Sequence, residues 1–173
     1  MRAHPFLSGL RLALGLLALL CMTPAWAADR VVDVDALKRS ALRGLESVDV
    51  IVLTPEAAAR CPDLTDEQVR TDVETRLHWA GIQIDPDAPS ILLVSVVAVE
   101  AFKDLLYGFA VSVELHEVVL LARDKQIMTL GATWHQVGLG VSGISNIPEY
   151  PRRVLADIVD RFITVYLEQN PKQ

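Results

Sequence analysis

The sequence has little of what most often announces a chemistry. Cys21 and Cys61 are its only cysteines. With Cys21 lost in the leader described below, Cys61 alone cannot staple its own chain. Cys61 reads as a half-buried loop thiol, since no neighbouring His or CxxC spacing marks it as reactive. Basic charge is in deficit: 16 Lys and Arg stand against 22 Asp and Glu, a net charge of −6. That balance argues against a protein that coats DNA or rests on an acidic membrane through a polybasic surface. There is no internal repeat and no low-complexity tract. The histidines form neither HxxxH nor HxH, and Ser112, Ser142 and Ser145 lack a GxSxG elbow, so hydrolase signatures are missing. Asp157 and Asp160, three residues apart on an expected helix, read as surface charges rather than as glycosidase carboxylates.

Long apolar runs are missing too, apart from one near the start. Residues 12–22 (LALGLLALLCM) are apolar, follow Arg2 and Arg11, and precede Ala25-Trp26-Ala27. A basic start, a short apolar centre and small residues before the cut form the layout of a secretory signal, cleaved before Ala28. A spanning helix needs about 20 apolar residues, so this run is too short to remain as an anchor. Lipidation at Cys21 is disfavoured because bulky Leu20 stands where a small residue is wanted. Removing residues 1–27 takes two arginines and no acid, leaving 14 basic against 22 acidic groups. The remaining chain suits one domain with an ordinary core, periplasmic or secreted.

Periodicity gives the elements. Residues 28–47 read as an N-terminal arm with a short helix over 33–45, where Leu37, Ala41 and Leu45 share a face. Residues 48–173 read as a single domain. A β-branched strand is expected over 48–53, then a connector with Pro55 and Pro62. Thr65 and Gln68 fit a capping box that opens a helix, with Val69, Val73, Leu77 and Ala80 on one face and Gly81 as its stop. A short strand over 82–85 and a turn over 85–89 follow. Strands are expected over 91–101, 109–121 and 126–137, the last two joined by a tight turn around Asp124 and Lys125. The first of them is almost wholly apolar, which predicts burial on both faces. A glycine loop over 138–143 then leads to a closing helix over 151–169, with Val154, Leu155, Ile158, Phe162, Val165 and Tyr166 as its apolar stripe. Strands grouped between helices indicate an α+β two-layer sandwich: a mostly antiparallel sheet of four or five strands with two main helices on one face.

Several phrases occur together: residues 44–52 (GLESVDVIV), 64–77 (LTDEQVRTDVETRL), Ala80-Gly81-Ile82, Thr133-Trp134, 157–163 (DIVDRFI), Tyr166-Leu167 and Asn170-Pro171. In these the chain resembles a group of small exported bacterial proteins of unassigned activity, over most of its mature length. The phrases are caps, stripes and strands, so the resemblance implies a fold more than a function. The element order also looks like the N-terminal domain of the translocation protein TolB and the periplasmic domain of the curli secretion factor CsgG. That likeness is one of topology, and topology does not carry function.

Three groups of residues merit testing as sites. Gly138, Gly140 and Gly143 spell GxGxxG, but no helix opens directly on the last glycine, so the dinucleotide reading gives way to a flexible loop. Across a two-residue turn at Asp124-Lys125, Glu114 would face His135 and His116 would face Thr133, so Glu114, His116 and His135 could meet as a zinc site or an acid–base pair. His78 points outward in its helix phase. Phe102, Leu105, Leu106 and Tyr107 give the first hairpin connection an apolar content that such turns usually lack, which marks a contact site. With helices on one face, the other face of the sheet needs the N-terminal arm, a second copy or a partner, and Ile163 and Leu167 add an apolar edge. The expected function is a non-enzymatic binding or accessory domain of the cell envelope, without cofactor or nucleic acid, working through self-association or another envelope protein. The alternatives are a periplasmic carrier of a small apolar ligand or lipid and a metal-dependent enzyme built on Glu114, His116 and His135.

Overall fold

A computed structural model of the chain describes residues 32–53, 64–102, 105–143 and 149–171. The expected leader with Cys21, and the positions of Cys61 and Ser145, lie outside the described residues. A compact unit runs over Val34–Gln173. Its elements are α1 (Val34–Ala41), β1 (Ser47–Leu53), α2 (Asp66–Ala80), β2 (Gln83–Ile84), β3 (Ile91–Phe102), β4 (Leu106–Leu121), β5 (Asp124–Gly143) and α3 (Glu149–Gln169). This is the α+β sandwich that the periodicity predicts.

The sheet runs in the order β2-β1-β3-β4-β5. It is mixed rather than mostly antiparallel: β1 pairs parallel with both β2 and β3, whereas β3–β4 and β4–β5 are antiparallel. The reason is the helix between β1 and β2. A helical crossover returns the chain in the direction it left, and only short hairpin turns reverse it.

The ends of α2 are fixed locally. Thr65 accepts from the Gln68 amide, and Gln68 Oε1 accepts from the Thr65 amide at 3.2 Å. At the other end Gly81 takes φ 81°, and the amides of Gly81 and Ile82 return to the carbonyls of His78 and Leu77. That left-handed position suits glycine, and the paired bonds satisfy carbonyls that would otherwise be orphaned.

Strand alternation decides the core. Val48, Val50 and Val52 on β1, Leu92, Val94, Val96 and Ala98 on β3, and Phe109, Val111, Val113 and Leu115 on β4 all face the helices and are buried. They meet Val69, Val73 and Leu77 from α2 and Leu155, Ile158, Val159 and Phe162 from α3. Trp134 on β5 packs edge to face on Phe162 at 5.1 Å. A guanidinium–carboxylate fork from Arg152 Nε and Nη2 to Asp72, and Arg76 Nη1 donating to both oxygens of Asp160, tie α3 to α2 with bonds of 2.7–2.9 Å.

From Val34 on, the expected N-terminal arm is part of this unit. Leu42 and Leu45, just past α1, lie in the core. Asn170 beyond α3 holds them: its Nδ2 donates to Leu42 O and Tyr166 O, and its Oδ1 accepts from the Gly44 amide. Gly44 itself takes φ 76°. The chain reverses there in a conformation that disfavours a side chain. α1 packs along β5 and α3, and its Lys38 reaches round to His135 at the edge of the second face.

That second face is a further correction. β3 was expected to be buried on both sides, yet only its even-numbered residues are fully buried. Leu93, Ser95 and Val97 are half-buried and Val99 is exposed. Among the described residues no helix stands over them to complete their burial.

Candidate functional site

The glycine segment is a strand and not a loop. Residues 138–143 continue β5 and pair with β4 from Val111↔Gly138 to Leu106↔Gly143. Gly138 and Gly140 fall on the helix-facing side. A Cβ on Gly138 would lie 2.4 Å from Val154 Cγ1, and one on Gly140 would lie 2.4 Å from Phe109 Cζ. These glycines are therefore spaces into which α3 and an aromatic ring pack, the common role of glycine inside a strand. The phosphate-cradle reading and the flexible-loop reading both fall with this.

The polar trio is partly assembled. Glu114 does lie opposite His135. However, the turn sits at Ala122-Arg123, not Asp124-Lys125. Residues 125–127 form one irregularity in β5 and Thr133 a second, and together they restore the register at Glu114 while moving His116 opposite Ala132. Such inserted residues shift every pair beyond them. Glu114 Oε2 accepts from His116 Nε2 at 2.8 Å. His135 turns elsewhere: its Nε2 lies 3.3 Å from Lys38 Nζ on α1. An ammonium only donates, so this nitrogen accepts and the ring proton sits on Nδ1. Among the described residues no group of three His, Cys, Asp or Glu side chains is arranged to hold a metal ion. The proposed zinc triad is thus a Glu114–His116 pair beside a separately engaged His135.

The bulge residue has its own partners. The Thr133 hydroxyl donates to Glu117 Oε2 at 2.6 Å, and the Ser90 hydroxyl reaches Glu117 Oε1 at 3.3 Å. Glu117 thereby serves structure, holding the irregular strand against the start of β3. His78 is exposed on α2, as its helix phase predicts.

The apolar turn between β3 and β4 stands at one end of the sheet. Phe102 is 65% exposed, Leu105 68% and Leu106 39%. Phe102 pairs with Leu106 across the turn, and Leu106 pairs with Gly143. Tyr107 differs from its neighbours by packing against the core. Beside this tip, Val141, Gly143, Glu149, Tyr150 and Arg153 line an open recess of about 450 Å³.

Sequence reading alone missed the opposite end. The β4–β5 hairpin continues beyond the helix layer, and Val118, Leu120, Met128 and Leu130 are exposed on one of its faces. The pairs Val118↔Leu130 and Leu120↔Met128 put them side by side. The signal was present as the apolar run 118–121, but a hairpin's length beyond its support depends on where the helices end.

Compared with protein-family profiles and with curated proteins, the chain matches none. Among the described residues no helix is long and apolar enough to cross a membrane.

Proposed function

We propose that the chain is an exported, non-enzymatic accessory domain of the bacterial cell envelope that works by protein contact, and that the β3–β4 tip is the part that docks. The observation that carries this reading is the exposure of Phe102 and Leu105 at the end of a long antiparallel pairing. Large apolar side chains on a hairpin turn lose free energy in water and regain it against a partner's pocket. Tyr107 strengthens the arrangement by rooting the tip in the core. The leader-like residues 1–27 and the resemblance to small exported proteins supply the compartment.

The carrier alternative wants an apolar cleft, and the space between sheet and helices is filled by Phe109, Trp134 and Phe162. The metal-enzyme alternative wants three ligands, and His135 is bound to Lys38 instead.

The test is crosslinking in intact cells followed by copurification, comparing the natural chain with Leu105→Asp. Capture of one defined envelope protein that disappears with Leu105→Asp is expected. Equal capture with both chains would overturn the tip as the docking element.

A further inference from the structure

We propose that the open face of the sheet seats a second copy of this chain, through a two-fold axis parallel to the strands and between β4 and β5. This goes beyond the tip contact and does not depend on it.

The argument starts from which side chains share that face. Cross-strand neighbours point the same way, so the β4–β5 register assigns them. On β5 the face carries His135, Val137, Leu139 and Val141; on β4 it carries Glu114, Ser112, Ala110 and Gly108, each opposite its β5 partner in that order. The β5 residues are large and stand clear: Leu139 is 77% exposed and Val141 61%. Of their β4 neighbours, Ser112, Ala110 and Gly108 are small. The face therefore has a ridge along β5 and a trough along β4, with Val97 and Val99 of β3 on the trough's far side.

A ridge beside a trough of equal length is self-complementary. Rotation by two-fold symmetry about an axis between the two strands exchanges them without changing the level along the strand. Leu139 of one copy then lies over Ala110 of the other, Val141 over Gly108 and Val137 over Ser112. This is the interdigitation by which two sheets pack roughly 10 Å apart in aligned sandwiches. Polar groups follow the same operation, since Glu114 of one copy comes over His135 of the other, a carboxylate above an imidazole that can donate to it. Beyond them the exposed Val118 and Leu120 come over the second copy's Leu130 and Met128. A face with apolar ends and a polar centre of both hydrogen-bonding characters fits an isologous contact, in which each patch must match its own symmetry mate. α1 packs along β5 and α3 and meets this face at His135, through Lys38.

Native mass spectrometry and light scattering on the chain as recovered from expressing cells, from low to high micromolar concentration, test this. The natural chain is expected to pass from one-chain to two-chain mass. Leu139→Glu, which loads the ridge with a charge, and Ala110→Leu, which fills the trough, should each raise the dimer dissociation constant by more than about tenfold. Both positions face outward, so the circular dichroism spectrum should stay unchanged. Glu114→Lys should weaken the dimer and the double variant Glu114→Lys, His135→Glu should recover it. Leu105→Asp should leave the dimer intact, which separates this proposal from the tip contact. One-chain mass at every concentration, a chain carrying a small apolar molecule in place of a second copy, or a dimer indifferent to both Leu139→Glu and Ala110→Leu would overturn it.

Discussion

The two faces of one sheet are built from nearly the same residues and meet different fates. On β3, Leu92, Val94 and Val96 are buried under α2 and α3, while Leu93, Val97 and Val99 on the reverse side are half-buried or exposed. On β5 the contrast is sharper. The helix-facing side holds Gly138 and Gly140 because α3 comes close, and the reverse side holds Val137, Leu139 and Val141 with nothing from the helix layer above them. Apolar character alone therefore does not say what is core. Burial follows from what stands opposite, and the volume at each position records how near that neighbour comes.

This comparison can be broken at its strong side first. Phe162 is fully buried against Trp134, and Phe162→Ala should cost about 3–5 kcal/mol, enough to leave a domain of this size largely unfolded. Urea unfolding followed by circular dichroism would read it; a loss below about 1 kcal/mol would mean that the helix layer is not the core's lid. Next comes the spacing of α3 over β5. Gly138→Val puts a stiff branched side chain where Val154 already stands, and overpacking of this kind should cost about 1–3 kcal/mol. The same urea midpoint checks it, and a neutral result would contradict the close approach.

Asn170→Ala tests how the ends of the covered side are closed. It removes two bonds that join the end of α3 to the turn after α1 and a third back to Tyr166 O of α3 itself. Exposed backbone at that end can turn to water, so the loss should be about 1–3 kcal/mol, with faster amide exchange at Leu42 and Gly44. The open face should respond least. Leu139→Ser should change stability of the single chain by no more than about 0.5 kcal/mol, because its side chain touches solvent there. A loss like that of Phe162→Ala would show that the face is covered within the chain.

Much of the fold was legible in the sequence. The capping box at Thr65 and Gln68, the stop at Gly81 and the stripe of α3 are local patterns, and local patterns need no knowledge of neighbours. The sheet's handed order was less legible, since parallel pairing comes from the crossover that α2 imposes. The glycine segment failed for a physical reason. Glycine breaks isolated strands, so GLGVSG reads as a loop, yet Val137, Leu139 and Val141 alternate with period two as a strand requires. The glycines are explained only once α3 is laid across them. The register at Glu114 shows a different limit. The expected pair formed, but through a turn at other residues and two irregularities that offset one another. Bulges depend on contacts such as Thr133 with Glu117, which no period reveals.

The claim that the open face is an interface is tested most directly by a thiol crosslink across it. With Cys61→Ser as background, one preparation carries Leu139→Cys and a second carries Ala110→Cys, and the two are mixed and treated with a short bis-maleimide, which spans facing sheets where a disulfide would be too short. The account predicts rapid formation of the mixed dimer, with little when Ala110→Cys is replaced by Trp79→Cys on the exposed side of α2. Equal crosslinking at Trp79→Cys, or none between Leu139→Cys and Ala110→Cys, would contradict it.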